Sequence, residues 1–218
     1  MKQIEKWKIG NDELVYYDDT HTYFCNGVKC ISVTQLLKFK FPRKYDGVSD
    51  QVLNKAAERG NKVHESIEMY CKYGIPSEEL EEFRNFMFLK KMFGFEVKAN
   101  EVPIILKYKD LIVCGRLDLV LLENEELMLG DIKSTSALDK EYLAYQLNLY
   151  RLAYQQCYGV EIKGLRGVHL RKDVRKYVQL PINEELTYQL LDAYIGHKER
   201  ITELFEYIEH KERMMSYE

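Results

Sequence analysis

The stretch V-C-G-R-L-D-L-V-L-L-E-N-E-E-L-M-L-G-D-I-K-S-T, residues 113–135, decides how the rest of the chain is read. It predicts two β-strands folded back on each other, with Asn124 and Glu125 as a two-residue loop. Asn suits the left-handed backbone that such a turn needs, whereas Glu is a poor choice for the second position. In that register Asp118 falls directly opposite Asp131. Because side chains alternate along a strand, Lys133 points to the same face as Asp131. The flanking residues, from Leu117 through Leu122 and from Leu127 to Ile132, are apolar almost without interruption, the pattern of strands covered on both faces. Two carboxylates and an ammonium are thus expected in a largely desolvated setting.

Opposed carboxylates repel, and one lysine does not easily neutralise both. A hard divalent cation, Mg²⁺ or Mn²⁺, would do so while leaving room for water and phosphate oxygens, and a neighbouring lysine can orient an attacking water. An aspartate followed a dozen residues later by Asp-Ile-Lys is what metal-assisted phosphodiester hydrolysis requires. The plainer alternative is a surface hairpin with solvated Asp and Lys. The apolar flanks and the opposed register favour the site.

These residues resemble the PD-(D/E)XK nuclease superfamily, with Asp118 in its second motif and Asp131-Ile132-Lys133 as its (D/E)-x-K. Gln146 and Tyr150 in Y-Q-L-N-L-Y are similar to the Q-x-x-x-Y signature of the RecB and Cas4-like branch, and His64 in R-G-N-K-V-H-E is similar to its upstream histidine. Within that branch the chain looks most like the mitochondrial genome maintenance exonuclease group and its small phage and bacterial relatives, from I-S-V-T-Q-L-L at positions 31–37 to the final helix.

The resemblance implies an α/β fold with a restriction-endonuclease-like core, a mixed central sheet flanked by helices. It implies metal binding by His64, Asp118, Asp131 and the Ile132 carbonyl, with Lys133 catalytic and Gln146 and Tyr150 supporting it. Glu101, near the end of the strand before the metal hairpin, is similar to a further acidic ligand of these relatives. The implied activity is metal-dependent exonucleolytic hydrolysis of DNA at single-stranded ends, in DNA repair or recombination, with a replication or recombination protein as a further partner. The alternatives left open are an endonuclease or structure-specific nuclease of the same fold, or a non-catalytic nucleic-acid or protein-binding module.

Composition sets the bounds. The chain has 218 residues, 46% hydrophobic and 31% charged, enough for one substantial core, and a single domain spanning 1–218 is expected. Its first 48 residues are expected to form an N-terminal β-hairpin and a basic, aromatic segment packed on that core. Five scattered cysteines with no C-x-x-C pair argue for reduced thiols. Relatives of the Cas4 type hold an iron-sulfur cluster with cysteines near the C-terminus; this chain has none after Cys157, so no cluster is expected. No apolar run approaches a membrane span, and the N-terminus lacks a signal or transit character. The expectation is a cytoplasmic protein of a bacterial cell or a phage-infected host, with no membrane partner. A net charge of −3 argues against a nucleic-acid coat protein but leaves room for a local basic path.

Outward from the hairpin, strands are expected at 13–17, 21–25 and 28–31, followed by a short helix from Val33 to Phe39 capped by Ser32 or Thr34. In K-F-K-F-P-R-K-Y the cations Lys38, Lys40, Arg43 and Lys44 interleave with Phe39, Phe41 and Tyr45. This reads either as a single-strand platform, phosphates on the charges and bases on the rings, or as core phenylalanines beside solvated lysines.

A long helix is expected from Ser49 or Asp50 to Tyr73, with a stripe of Val52, Ala56, Val63, Ile67, Tyr70 and Cys71. His64 lies one position from that stripe, where a lone histidine is commonly structural. A second helix is expected after a Ser77 cap, then a strand from Phe95 to Val102, with 103–113 completing the meander. A helix from Asp139 to Tyr158 puts Gln146 and Tyr150 on one face, where they could equally belong to an amphipathic core. A strand from Leu165 to Leu170, paired with one from Tyr177 to Leu180, is bordered by Lys163, Arg166, Arg171, Lys172, Arg175 and Lys176, a second candidate phosphate track in which Arg171 and Lys172 are taken as DNA contacts. An acidic helix from Glu184 closes the chain.

Overall fold

A computed structural model describes residues 4–215; of the side chains near its end, those through Leu204 and that of Glu206 are described. Residues 1–3 and 216–218, the ends of the expected 1–218 domain, lie outside the described residues.

The hairpin within residues 113–135 forms in the expected register. Strands β6 (Leu111–Glu123) and β7 (Glu126–Lys133) pair antiparallel, Glu123 facing Glu126 and Leu119 facing Gly130. Both loop residues take left-handed backbone, Asn124 at φ 50° and Glu125 at φ 66°, so the turn is of the primed kind whose twist suits a hairpin. The Asn26-Gly27 turn behaves alike, at φ 50° and 79°.

Around this pair the fold is mixed α/β, a mostly antiparallel sheet of nine strands among the described residues with helices on its faces. The N-terminal strands β1 (Ile4–Ile9), β2 (Asp12–Tyr17), β3 (Thr22–Cys25) and β4 (Val28–Ser32) form an antiparallel meander, which adds β1 to the three expected strands and extends the expected N-terminal hairpin. β4 then joins β6 in parallel, Ile31 beside Val113. β5 (Glu96–Tyr108) pairs with β6 along its length. β8 (Gly164–Leu170) runs parallel to β7, and β9 (Arg175–Leu180) closes the far edge.

The helices are α1 (Val33–Lys40), α2 (Asp50–Tyr73), α3 (Glu81–Phe93), α4 (Lys140–Tyr158) and α5 (Glu184–Met215). Alternation along the central strands separates two cores. Val120, Leu129 and Leu165 face α1, α4 and α5, while Leu119, Leu121, Met128 and Ile132 face α2 and α3. A third cluster joins the N-terminal meander to Ile105 and Cys114.

Ser32 caps α1 in a reciprocal box with Gln35, at 3.1 and 2.9 Å. Gly74, at φ 69°, ends α2 as its position after Tyr73 suggested. Among the described residues no helix is long and apolar enough to cross a membrane.

Three expectations need correction. Ser77 does not cap α3: residues 77–80 form a turn that tucks Leu80 against the α2–α3 core, and the helix starts at Glu81 without a side-chain cap. Burial of Leu80 outweighs the missing cap. β5 does not stop at Val102 but continues through Pro103 to Tyr108. Proline is tolerated there because β5 is an edge strand, its free edge bonded by α4 side chains: Tyr158 donates to the Pro103 carbonyl at 2.7 Å, and Gln156 accepts from Lys107 N at 2.7 Å. Finally, Val52 and Ala56 are not core, Val52 being 56% exposed. The N-terminal half of α2 extends beyond the sheet, and only Val63 and Ile67 of the expected stripe are fully buried.

Candidate metal and phosphate site

β6 carries Asp118 at the point where its neighbours change, β4 pairing with its first half and β7 with its second. The Asp118 carboxylate accepts from the Ile132 backbone N–H at 2.7 Å, which locks the strand pair at this level. On β5, Glu101 lies opposite, between the paired positions Asn100–Leu119 and Val102–Leu117. Its φ of 51° is unusual for a non-glycine residue inside a strand, and it turns the side chain towards Asp118. From α2, His64 places Nδ1 3.6 Å from Asp118 Oδ2 and 3.7 Å from Glu101 Oε1, while Nε2 lies 3.1 Å from the Ile132 carbonyl. One donor atom each from His64, Glu101 and Asp118 lies within 4.8 Å of the others.

Beside this trio Asp131 is fully buried, and its Oδ2 is 2.5 Å from the Lys133 ammonium. Its Oδ1 has no hydrogen-bond partner. Leaving such an atom orphaned is costly, and a ligand would relieve that cost. Glu101 stands with His64 and Asp118, while Asp131 faces Lys133 and the Ile132 carbonyl accepts from His64. An imidazole with two carboxylates fits Mg²⁺ or Mn²⁺, the nitrogen donor suiting Mn²⁺ better.

Electrostatics follow from crowding these charges in a desolvated place. Burial would lower the proton affinity of His64, but Asp118 and Glu101 overcome it and raise the pKa to about 9. Burial likewise raises Asp118, and pushes Asp131 up to about 6 although Lys133 pulls against it. Burial opposes the charge on Lys133, yet Asp131 and Asp118 hold its pKa above the ordinary value, so it stays an ammonium. Burial also raises the Tyr150 phenol far above its usual range. Tyr150 therefore remains a donor.

Gln146 and Tyr150 sit together on the buried face of α4, where the Gln146 carbonyl oxygen has no hydrogen-bond partner. Tyr150 can lie against β6 because residue 115 is glycine: a Cβ there would come within 3.0 Å of the ring and 3.3 Å of Val33. Arg116 bridges Glu101 Oε2 at 2.6 Å and Glu5 of β1 at 2.8 Å, which leaves Glu101 Oε1 towards His64. Sequence reasoning missed Gly115, Arg116 and Glu5. The sequence shows G-R-L-D at 115–118, but the partners that give its glycine and arginine their roles are remote in the chain.

The site opens into a cleft of about 1050 Å³, walled by the exposed half of α2, by Tyr16, His21 and Tyr23 of the meander, and by Lys38 and Tyr45. Of the residues expected to contact DNA, Lys38 reaches this cleft, while Lys40, Arg43, Lys44, Arg171 and Lys172 do not line it. Lys44 is ion-paired with Asp139, the α4 N-cap. Phe39 and Phe41 pack against Tyr194 and His197, and against Tyr142 and Tyr145, on the core beneath. Arg166 of the second basic track is buried in a bidentate pair with Glu123, at 2.8 and 3.1 Å, and is no phosphate contact.

No protein-family model matches the sequence, and no curated protein matches it. The crystal structure of SSO0001 is similar over 77% of this chain and 75% of that one, at 18% identity and a TM-score of 0.45.

Proposed function

We propose that this protein is a metal-dependent deoxyribonuclease of the PD-(D/E)XK kind, acting on single-stranded DNA ends. The observation that carries the reading is the convergence of His64, Glu101 and Asp118 beside the buried Asp131–Lys133 pair at the floor of an open cleft. Strain, orphaned polar atoms and displaced proton affinities coincide in one concavity, the usual mark of a reacting site.

His64, Glu101 and Asp118 would hold the cation, with Asp131 alongside. When bound, Mg²⁺ or Mn²⁺ neutralises the clustered carboxylates and polarises a phosphoryl oxygen. The chain's own residues supply the remainder. Arg116 fixes one oxygen of Glu101, and the Ile132 N–H fixes one of Asp118, so both acids are held before substrate arrives. Lys133, held charged by Asp131, orients the attacking water and offsets the negative charge that grows on the phosphate. Water adds to phosphorus, the bond to one sugar oxygen breaks, and the water's protons end on that oxygen and in solvent. Tyr150, kept protonated, donates into the same region with Gln146 behind it.

Incubation of end-labelled single strands with and without divalent metal tests this. Degradation should require metal, and Asp131→Ala or Lys133→Ala should be inert. Activity surviving both substitutions would refute the mechanism. Cleavage of circular single strands would instead support the endonuclease reading of the same site.

A further inference from the structure

A second, smaller cavity of about 390 Å³ adjoins the cleft. The two share Thr34, Lys38 and Tyr45, and the smaller is completed by Phe41, Pro42 and Tyr142, with Lys44 and Asp46 at its border. We infer that this aromatic recess seats one unstacked nucleobase of a single strand whose adjoining phosphate lies at Lys133, the member of the buried pair that lines the cleft. The inference deepens the proposed nuclease reading and rests on it for the position of the phosphate.

The chemistry of the lining selects this occupant. The volume lies within the range of about 300–1,000 Å³ typical of small-ligand sites. Phe41 and Tyr142 pack on each other at 5.5 Å and form a rigid floor on the core. Tyr45 differs from them: the residue is 48% exposed and its ring has no aromatic neighbour among the described residues, only the Lys44 ammonium 5.9 Å from its centroid, which leaves the opposite face for stacking. The two nearby cations have different fates. Lys44 lies 3.8 Å over the Tyr142 ring and is neutralised by Asp139, which makes it part of the wall. Lys38, at the boundary of the two cavities, has no acidic partner among the described residues and is free for a backbone phosphate. A planar, uncharged, aromatic group followed by an anion matches that sequence of surfaces, and base-on-ring stacking is tolerant of base identity. A paired base cannot enter the recess without leaving its partner, so the recess favours unpaired DNA.

The test is fluorescence anisotropy in EDTA, so that binding is read without cleavage. A labelled oligothymidine and an abasic strand of the same length are titrated with wild type, Tyr45→Ala, Tyr45→Phe and Lys38→Met. Wild type should prefer the base-bearing strand by about tenfold, from a single stacking contact. Tyr45→Ala should lose that preference while binding the abasic strand as before, and Tyr45→Phe should restore it. Lys38→Met should weaken both strands alike. Equal binding of the two strands by wild type, a Tyr45→Ala loss common to both, or no binding of either would overturn the inference. Cleavage with Mn²⁺ is measured in parallel: a cleaving enzyme without base preference leaves the nuclease reading standing, and base preference without cleavage leaves only the recess.

Discussion

Gly115 shows how a single residue carries the site without touching the chemistry. Tyr150 lies where a side chain at position 115 would be, and the contacts of 3.0 Å to its ring and 3.3 Å to Val33 leave no slack. Gly115→Ala should overpack this layer and destabilise the protein by about 1–3 kcal/mol, with Tyr150 displaced. Denaturant unfolding together with the turnover rate checks this. If Tyr150 matters only for packing, stability should fall while the rate of the folded fraction is kept. At this scale Asp118, Asp131 and Lys133 were legible because two-residue periodicity and one turn determine which residues meet. Glu101 came from resemblance alone. Its role depends on a left-handed residue inside a strand, which no local propensity announces.

Among the elements, β1 was the strand left unread. Its inward positions are Glu5, Trp7 and Ile9, and the inward acid spoils the apolar alternation that would mark a strand. The same acid gives β1 its use, since Glu5 holds Arg116 and Arg116 holds Glu101. Glu5→Ala should therefore raise the metal concentration needed for half-maximal activity by about tenfold, as loss of a residue that orients a ligand commonly does. The rate at saturating metal should be unchanged, and Glu5→Asp should recover part of the loss. A fall in the saturated rate with no change in metal dependence would contradict this relay. The helices were read more accurately than the edges, as α1, α2 and α4 carry explicit caps or terminating glycines. The misread start of α3 and the misread end of β5 were decided by Leu80 burial and by α4 side chains bonding a strand edge, both tertiary effects.

For the whole molecule, the crowded charges make stability depend on pH in a determined direction. Asp131 and His64 both have folded pKa values above their ordinary ones, about 6 against 3.8 and about 9 against 6.5. Each contribution is complete below the ordinary value and is lost as pH rises through the folded one. The metal-free protein should thus lose thermal stability between pH 6.5 and 9, and His64→Asn should flatten that limb. Because a cation takes the place of these protons, stabilisation by Mn²⁺ should be larger near the top of that window than at its foot. At a hundred times Kd it is worth about 2.7 kcal/mol, or roughly 5–10 °C for a chain of this length. Thermal scans across pH with and without Mn²⁺ measure both slopes, and a stability rising with pH in the absence of metal would contradict the charge arrangement. The mixed α/β layering was legible because helical and strand periods alternate clearly along the chain. The cleft was not, since it arises where α2 extends past the sheet and the meander folds over it.

The most direct test of the central claim is the single-turnover rate of single-strand cleavage in Mn²⁺ by Asp131→Asn beside wild type. The substitution keeps the shape of a fully buried residue and removes the charge that pairs with Lys133. The account predicts a loss on the order of 10²–10³-fold with the fold intact by circular dichroism. A variant that cleaves within a few-fold of wild type would show that hydrolysis does not depend on this pair.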